Sequence, residues 1–195
     1  MKRKTTTDYE IHAFATKEEW DEWLESNHAS SPGVWLRIAK MTSGMASVNY
    51  PEAVETALCH GWIDGLKRPF DQREWLQKFT PRNPKSVWSK INRGKAEALI
   101  EAGRMRPAGL EAVKAAKGNG RWSAAYDPQS AATVPPDLQA ALDKHRKAAA
   151  FFATLTGASR YSILYRIQAA KKPETRARRV AEVMAALKKG EKPYR

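Results

Sequence analysis

Across a single glycine, the stretch ALCHGWIDG, residues 57 to 65, changes the period of the chain. Upstream, Pro51 stands at the favoured first position of a helix with Glu52 beside it, and Val54, Ala57 and Leu58 form an apolar stripe. Gly61 then supplies the residue type that enters the left-handed region without steric cost, so the helix must end there. Downstream, residues 62 to 68 and 74 to 80 read as two strands joined around Asp71 and Gln72. A helix feeding directly into a strand pair fixes an α+β arrangement, in which a small antiparallel sheet packs with helices. It also sets Cys59, His60, Trp62 and Asp64 at a junction between elements, where side chains face clefts more often than in mid-helix.

The other predicted elements fit the same layer. Thr16 caps a helix that carries Glu18 and Glu19 in its first turn and Trp20, Trp23 and Leu24 on one face; it stops near Ser30-Ser31-Pro32-Gly33. In residues 34 to 40, Val34, Leu36 and Ile38 alternate with Trp35, Arg37 and Ala39, the period of a half-buried strand. After Pro81 the chain turns helical: Asn92 is the expected cap of a helix ending at Gly103, and Pro107 opens another ending at Gly118. Residues 124 to 136 hold three prolines and no periodicity and read as a linker between an α+β N-terminal domain, residues 14 to 123, and a basic, mainly helical C-terminal region, residues 137 to 192. In the last helix Ala177, Val180, Met184 and Leu187 share one face, and Lys172, Arg176 and Arg179 another.

With 195 residues, 42% of them hydrophobic and seven tryptophans, the chain is large enough to bury a real core. Its start, Met1 to Asp8, is basic but leads into no apolar run, so neither a secretory segment nor a membrane span is expected. The single cysteine fits a reducing compartment and rules out a multi-cysteine zinc site, and together these point to a cytoplasmic protein. The net charge of +13 is uneven: residues 143 to 195 hold 14 Lys and Arg against 4 Asp and Glu.

Familiar motifs are missing. The chain has no phosphate loop, no G-x-S-x-G elbow and no H-E-x-x-H pair, and Gly118-Asn119-Gly120 lacks the third glycine and the preceding strand of a dinucleotide fingerprint. Cys59 and His60 are neighbours, about 100° apart on a helix, and do not readily share one ion, so no metal or other cofactor is expected.

What stands out is a polar and aromatic set running from His60, Trp62 and Asp64 into FTPRNPKSVWSKIN, residues 79 to 92, which adds Arg82, Ser86, Trp88, Ser89 and Asn92. Arginine presents a rigid fork of donors to a carboxylate or phosphate, tryptophan a broad face with one donor, and Ser and Asn satisfy backbone or ligand. In the structural reading, Asp64 pairs with Arg82 or Arg68, Ser86 caps a helix, and Trp62 and Trp88 fill the core. In the functional reading the same groups line a pocket, since ligand sites combine apolar walls with a few convergent polar groups.

The runs YPEAVETALCHGWIDGLKR, FTPRNPKSVWSKIN and EAGRMRPAGLEAVKAAKGNGRW, with the Trp20 to Leu36 region and the C-terminal AAFFATLTGASRYSILYRIQAAKKPETRARRVAEVMAALKKGEKP, closely resemble the bacterial YdeI or OmpD-associated family, labelled bacteriocin-protection. The family motif reads Cys, an aromatic, Gly, Trp, Ile, Asp, and this chain carries His60 in the aromatic position. The resemblance implies a link to tolerance of bacteriocins or cationic antimicrobial peptides and to an outer-membrane porin, with no reaction, catalytic residue or cofactor attached. A strongly basic protein is a poor direct trap for a cationic peptide, because like charges across an interface repel. Protection is therefore expected to act indirectly, through an unidentified small polar or acidic partner, a regulatory role or envelope metabolism.

Two alternatives stay open. Lys172, Arg176 and Arg179, with their basic neighbours, form a candidate anion-binding face for nucleic acid, although the tryptophans needed for stacking lie mostly in the other domain. An enzyme would use the pocket around Asp64 and Arg82, with Cys59, His60 and Asp64 as the tempting set; Cys59, however, follows Leu58 on an apolar face, where a lone cysteine is usually a small core residue.

Overall fold

A computed structural model of the chain describes residues 9–194; the basic start, residues 1–8, lies outside them. The described residues divide into two compact units, one running to Trp88 and including Asn92–Ala124, the other made of Ser89–Ile91 and the chain from Ala125 onward.

The first unit contains β1 (Glu10–Ala13), α1 (Lys17–Asn27), β2 (Val34–Ala39), α2 (Tyr50–Cys59), β3 (Trp62–Pro69), β4 (Glu74–Pro81), most of α3 (Lys90–Glu101) and α4 (Pro107–Gly118). The sheet order is β1-β2-β4-β3. Its pairs β2·β4 and β3·β4 are antiparallel, as expected, and β1 is added in parallel beside β2. That edge strand has only four residues and little burial, so it carries no alternating signal. At β2, Val34, Leu36 and Ile38 are buried as the alternation predicts, and Trp35 on the other face is buried too, with the Arg68 guanidinium 4.5 Å over its ring.

Local chemistry sets each boundary. Thr16 accepts from the Glu19 N–H at 3.3 Å, and the Glu19 carboxylate accepts from the Ala15 N–H at 2.7 Å, which closes the start of α1. At α2, Asn49 and Glu52 form a reciprocal capping box around Pro51; because Asn49 is the cap, the helix starts at Tyr50 and Pro51 takes its second position, not its first. Asp71 makes the β3–β4 turn by accepting from the N–H groups of Arg73 and Glu74, each at 2.7 Å, and these bonds hold its carboxyl below the usual range. Between Asp64 and Lys67 the β3·β4 register slips through a bulge, and the buried Gln77 amide donates to the Gly65 carbonyl at 2.9 Å within it. Trp20, Trp62, Phe79 and Leu24 form the buried centre between sheet and helices.

Asn92 does not cap α3. The helix begins at Lys90, whose N–H donates to the Tyr126 carbonyl at 2.9 Å next to a Ser89–Tyr126 bridge, so the chain has already turned helical before Asn92.

The second unit is helical, with α5 (Pro136–Asp143), α6 (Arg146–Thr154), α7 (Gly157–Gln168) and α8 (Pro173–Lys188) around Leu138, Leu142, Phe152, Ile163, Ile167, Val183 and Leu187. Thr156 caps α7 by accepting from the Ser159 N–H. A mainly antiparallel four-stranded sheet packed with helices, followed by a unit of helices alone, makes the fold α+β. Among the described residues, no helix is long and apolar enough to cross a membrane.

Candidate functional site

The site begins where α2 ends. Gly61 takes φ +73°, the left-handed value its position demands, and its carbonyl accepts the Arg82 N–H at 2.9 Å, which ties the end of β4 to the end of the helix. The first turn of α4 packs onto the same place. A Cβ on Gly109 would lie 2.3 Å from the Cys59 carbonyl oxygen, and the Arg106 N–H donates to that oxygen at 3.1 Å. Only a glycine permits two helices to approach this closely.

The gap left between these elements is a cavity of about 470 Å³ lined by His60, Gly61, Trp62, Arg82, Asn83, Ser86 and Trp88, with His28 from the end of α1 and Ala108, Glu111, Ala112 and Ala115 from α4. Arg82 is its cation. Its Cζ sits 3.6 Å from the Trp88 ring centroid and its Nη1 donates to the Val87 carbonyl at 3.2 Å, so the fork is held in a fixed plane. Trp88 is buried and meets Trp122 edge-on at 4.8 Å. Trp62 is buried as well, with its indole N–H donating to the His28 carbonyl at 3.1 Å. The His60 side chain is fully enclosed, its Nε2 2.8 Å from Asp21 Oδ1 and its Nδ1 3.9 Å from Glu25 Oε2, so both nitrogens face carboxylates of α1. Ser86 lies in a tight turn, its N–H donating to the Asn83 carbonyl at 2.7 Å, and caps no helix.

Five of the sequence-selected residues therefore meet in one cavity: His60, Trp62, Arg82, Ser86 and Trp88. Three do not line it. Asp64 pairs with neither Arg82 nor Arg68; it accepts the Tyr50 hydroxyl at 2.7 Å. Ser89 and Asn92 sit at the start of α3. The contributions of α4 were missed, although Ala108, Ala112 and Ala115 recur at helical spacing and mark a face with no bulk to fill the gap.

The tempting set of Cys59, His60 and Asp64 is not assembled. Cys59 is buried and lines a different cavity, and burial pushes its thiol up despite the opposing pull of Arg104. Among the described residues, no group of three or more His, Cys, Asp or Glu is placed to hold a metal ion.

In the second unit the candidate anion-binding residues are partly committed. Arg176 makes two bonds to Asp137, at 2.6 and 2.9 Å, and these hold the Asp137 carboxyl below the usual range. Arg179 donates to the Arg166 carbonyl, while Lys172 is the exposed residue before α8.

Fold and site thus define a two-unit protein, an α+β unit built around a cavity and a basic helical unit. Residues 12–112, just over half the chain, match the family model described as Domain of unknown function (DUF8412), and the chain belongs to that family. Residues 131–190 match the model described as Bacteriocin-protection, YdeI or OmpD-Associated, which upholds the resemblance read from the sequence and places the match on the helical unit. The runs YPEAVETALCHGWIDGLKR and FTPRNPKSVWSKIN lie inside the first of these matches. No curated protein and no solved structure matches the chain.

Proposed function

We propose that this protein is a cytoplasmic tolerance factor of the bacteriocin-protection kind, which binds a small acidic molecule in the cavity at the end of α2. The observation that carries the reading is the Arg82 guanidinium 3.6 Å over the Trp88 ring, beside buried Trp62 and His60. A stacked guanidinium is preorganised to grip a carboxylate, and the cavity volume falls in the range of small-molecule sites. Binding is favoured over catalysis because both His60 nitrogens face α1 and Asp64 is engaged with Tyr50. The net charge of +13 argues that protection does not work by capturing a cationic peptide directly.

Native mass spectrometry of the purified protein tests this. The expected result is a retained organic acid that is lost from Arg82→Ala while the folded mass envelope persists. Identical retention by wild type and Arg82→Ala would sink the reading.

A further inference from the structure

We infer that a second cavity of the N-terminal unit, separate from the one above, is a binding site for a compact tetrahedral oxyanion, phosphate or the phosphoryl end of a phosphomonoester. This cavity, of about 450 Å³, lies where the start of α1, the buried face of α2 and the turn between α3 and α4 meet.

Three cations line it: Lys17, Arg104 and Arg106. Among the described residues, no carboxylate forms an ion pair with Lys17 or Arg104, and Arg106 is shared between Asp21 at 3.4 Å and Glu25 at 3.7 Å. Asp21 also lines the cavity, but its oxygens are engaged by His60 Nε2 at 2.8 Å and by Arg106. Three like charges gathered around one cavity repel each other, and a bound anion relieves that repulsion.

Thr56 points independently to the same ligand. It lines this cavity from the buried face of α2 at 2% exposure, and among the described residues its Oγ1 has no hydrogen-bond partner. A buried hydroxyl left unsatisfied is a cost that an isosteric valine would avoid. An oxyanion accepting from Thr56 removes that cost, as the cations neutralise the charge.

The site is also preformed. Gly103 takes φ +67° and ends α3 in a Schellman arrangement, with its N–H donating to the Ile100 carbonyl at 3.0 Å and the Arg104 N–H to the Leu99 carbonyl at 2.9 Å. The backbone that carries Arg104 is fixed before any ligand arrives.

The test is calorimetric titration of the full chain with inorganic phosphate and with glycerol 3-phosphate, at ionic strength held constant with chloride. We expect saturable binding of at least one of them, weakened at least tenfold by Arg104→Ala, an exposed position whose change leaves the fold intact. Thr56→Val should weaken binding about tenfold and at the same time leave the ligand-free protein as stable as wild type or more so, a combination that a purely structural threonine would not give. The tighter of the two ligands separates the free ion from the monoester. No heat beyond the chloride control, or wild-type affinity in Arg104→Ala, overturns the proposal; retention of an organic acid in the first cavity is unaffected by either result.

Discussion

Arg82 is fixed from both ends: its N–H is held by the Gly61 carbonyl at 2.9 Å, and its guanidinium lies 3.6 Å above the Trp88 ring. The glycine that stops α2 and the tryptophan that leads towards α3 therefore position one cation between them. Lysine at this position keeps the charge but loses both the planar fork and the stack. Arg82→Lys should cost about 1–2 kcal/mol in urea unfolding, the size of a partly desolvated cation–π contact, because Trp88 is buried. It should also weaken binding of an acidic ligand about tenfold or more, which corresponds to losing ~1.5–3 kcal/mol of charge-assisted hydrogen bonding. A loss of stability without loss of binding would make Arg82 a packing residue.

Gly109 tests whether the close contact of α2 and α4 builds the cavity. Alanine has the better helix propensity by about 1 kcal/mol, so in open solvent Gly109→Ala would stabilise α4. Here its Cβ would meet the Cys59 and Leu58 carbonyl oxygens at 2.3 and 2.8 Å, and α4 must move away. The expected outcome is net destabilisation of about 1–3 kcal/mol by urea titration, the usual scale of overpacking. Gly118→Ala, at a position with nothing near the added carbon, is the control and should be neutral or stabilising.

Cys59 should behave as a core thiol. Burial raises its pKa, so at neutral pH the thiolate is a smaller fraction than in a free cysteine, and reaction with a thiol reagent should be slower than in the urea-unfolded chain. The sign for stability follows from the same shift. Because the folded pKa lies above the unfolded one, the contribution of the neutral thiol is intact below the unfolded value and is lost as pH rises through the folded value. Cys59→Ser, which removes the chain's single thiol, should abolish both trends, and labelling of the native protein as fast as the unfolded chain would contradict the burial.

The sequence was legible where one local signal decided the outcome. Gly61 stops α2, Pro107 opens α4 at its first position and residues 34 to 40 alternate as a strand, as their residue types predict; Pro51 lies one residue inside α2, which starts at Tyr50. Long-range decisions were not legible. Asp64 was expected to find an arginine, but the β3·β4 register and the bulge that follows it leave it in reach of the Tyr50 hydroxyl. Asn92 has the chemistry of a cap, yet the contact of Ser89 and Lys90 with Tyr126, 37 positions beyond Ser89, starts the helix earlier. The cavity wall from α4 was hidden for a different reason: alanines carry no chemical signal, and only their placement against Trp62 and Arg82 gives them a role.

The pair formed by Arg176 and Asp137 decides how the basic helical unit should be read. Arg176 comes from the first turn of α8 and Asp137 from the first turn of α5, and their two bonds tie the helices together. Both side chains are about a third exposed, so solvent screens the pair, and Arg176→Ala should cost only about 0.2–1 kcal/mol. Its pH dependence has a definite sign. Arg176 holds the Asp137 carboxyl below its unfolded pKa, so the stabilisation is fully present above that unfolded value and is lost as pH falls through the lower, folded one. Asp137→Asn should therefore flatten the acid limb of the stability curve. Because the Arg176 charge is already answered by Asp137, Arg176→Ala should barely change the salt dependence of heparin retention, whereas replacing exposed Lys171 and Lys172 should reduce it. A large drop in retention from Arg176→Ala alone, with the unit still folded by circular dichroism, would mean that the arginine leaves Asp137 to meet the polyanion, and would restore this face as a nucleic-acid surface.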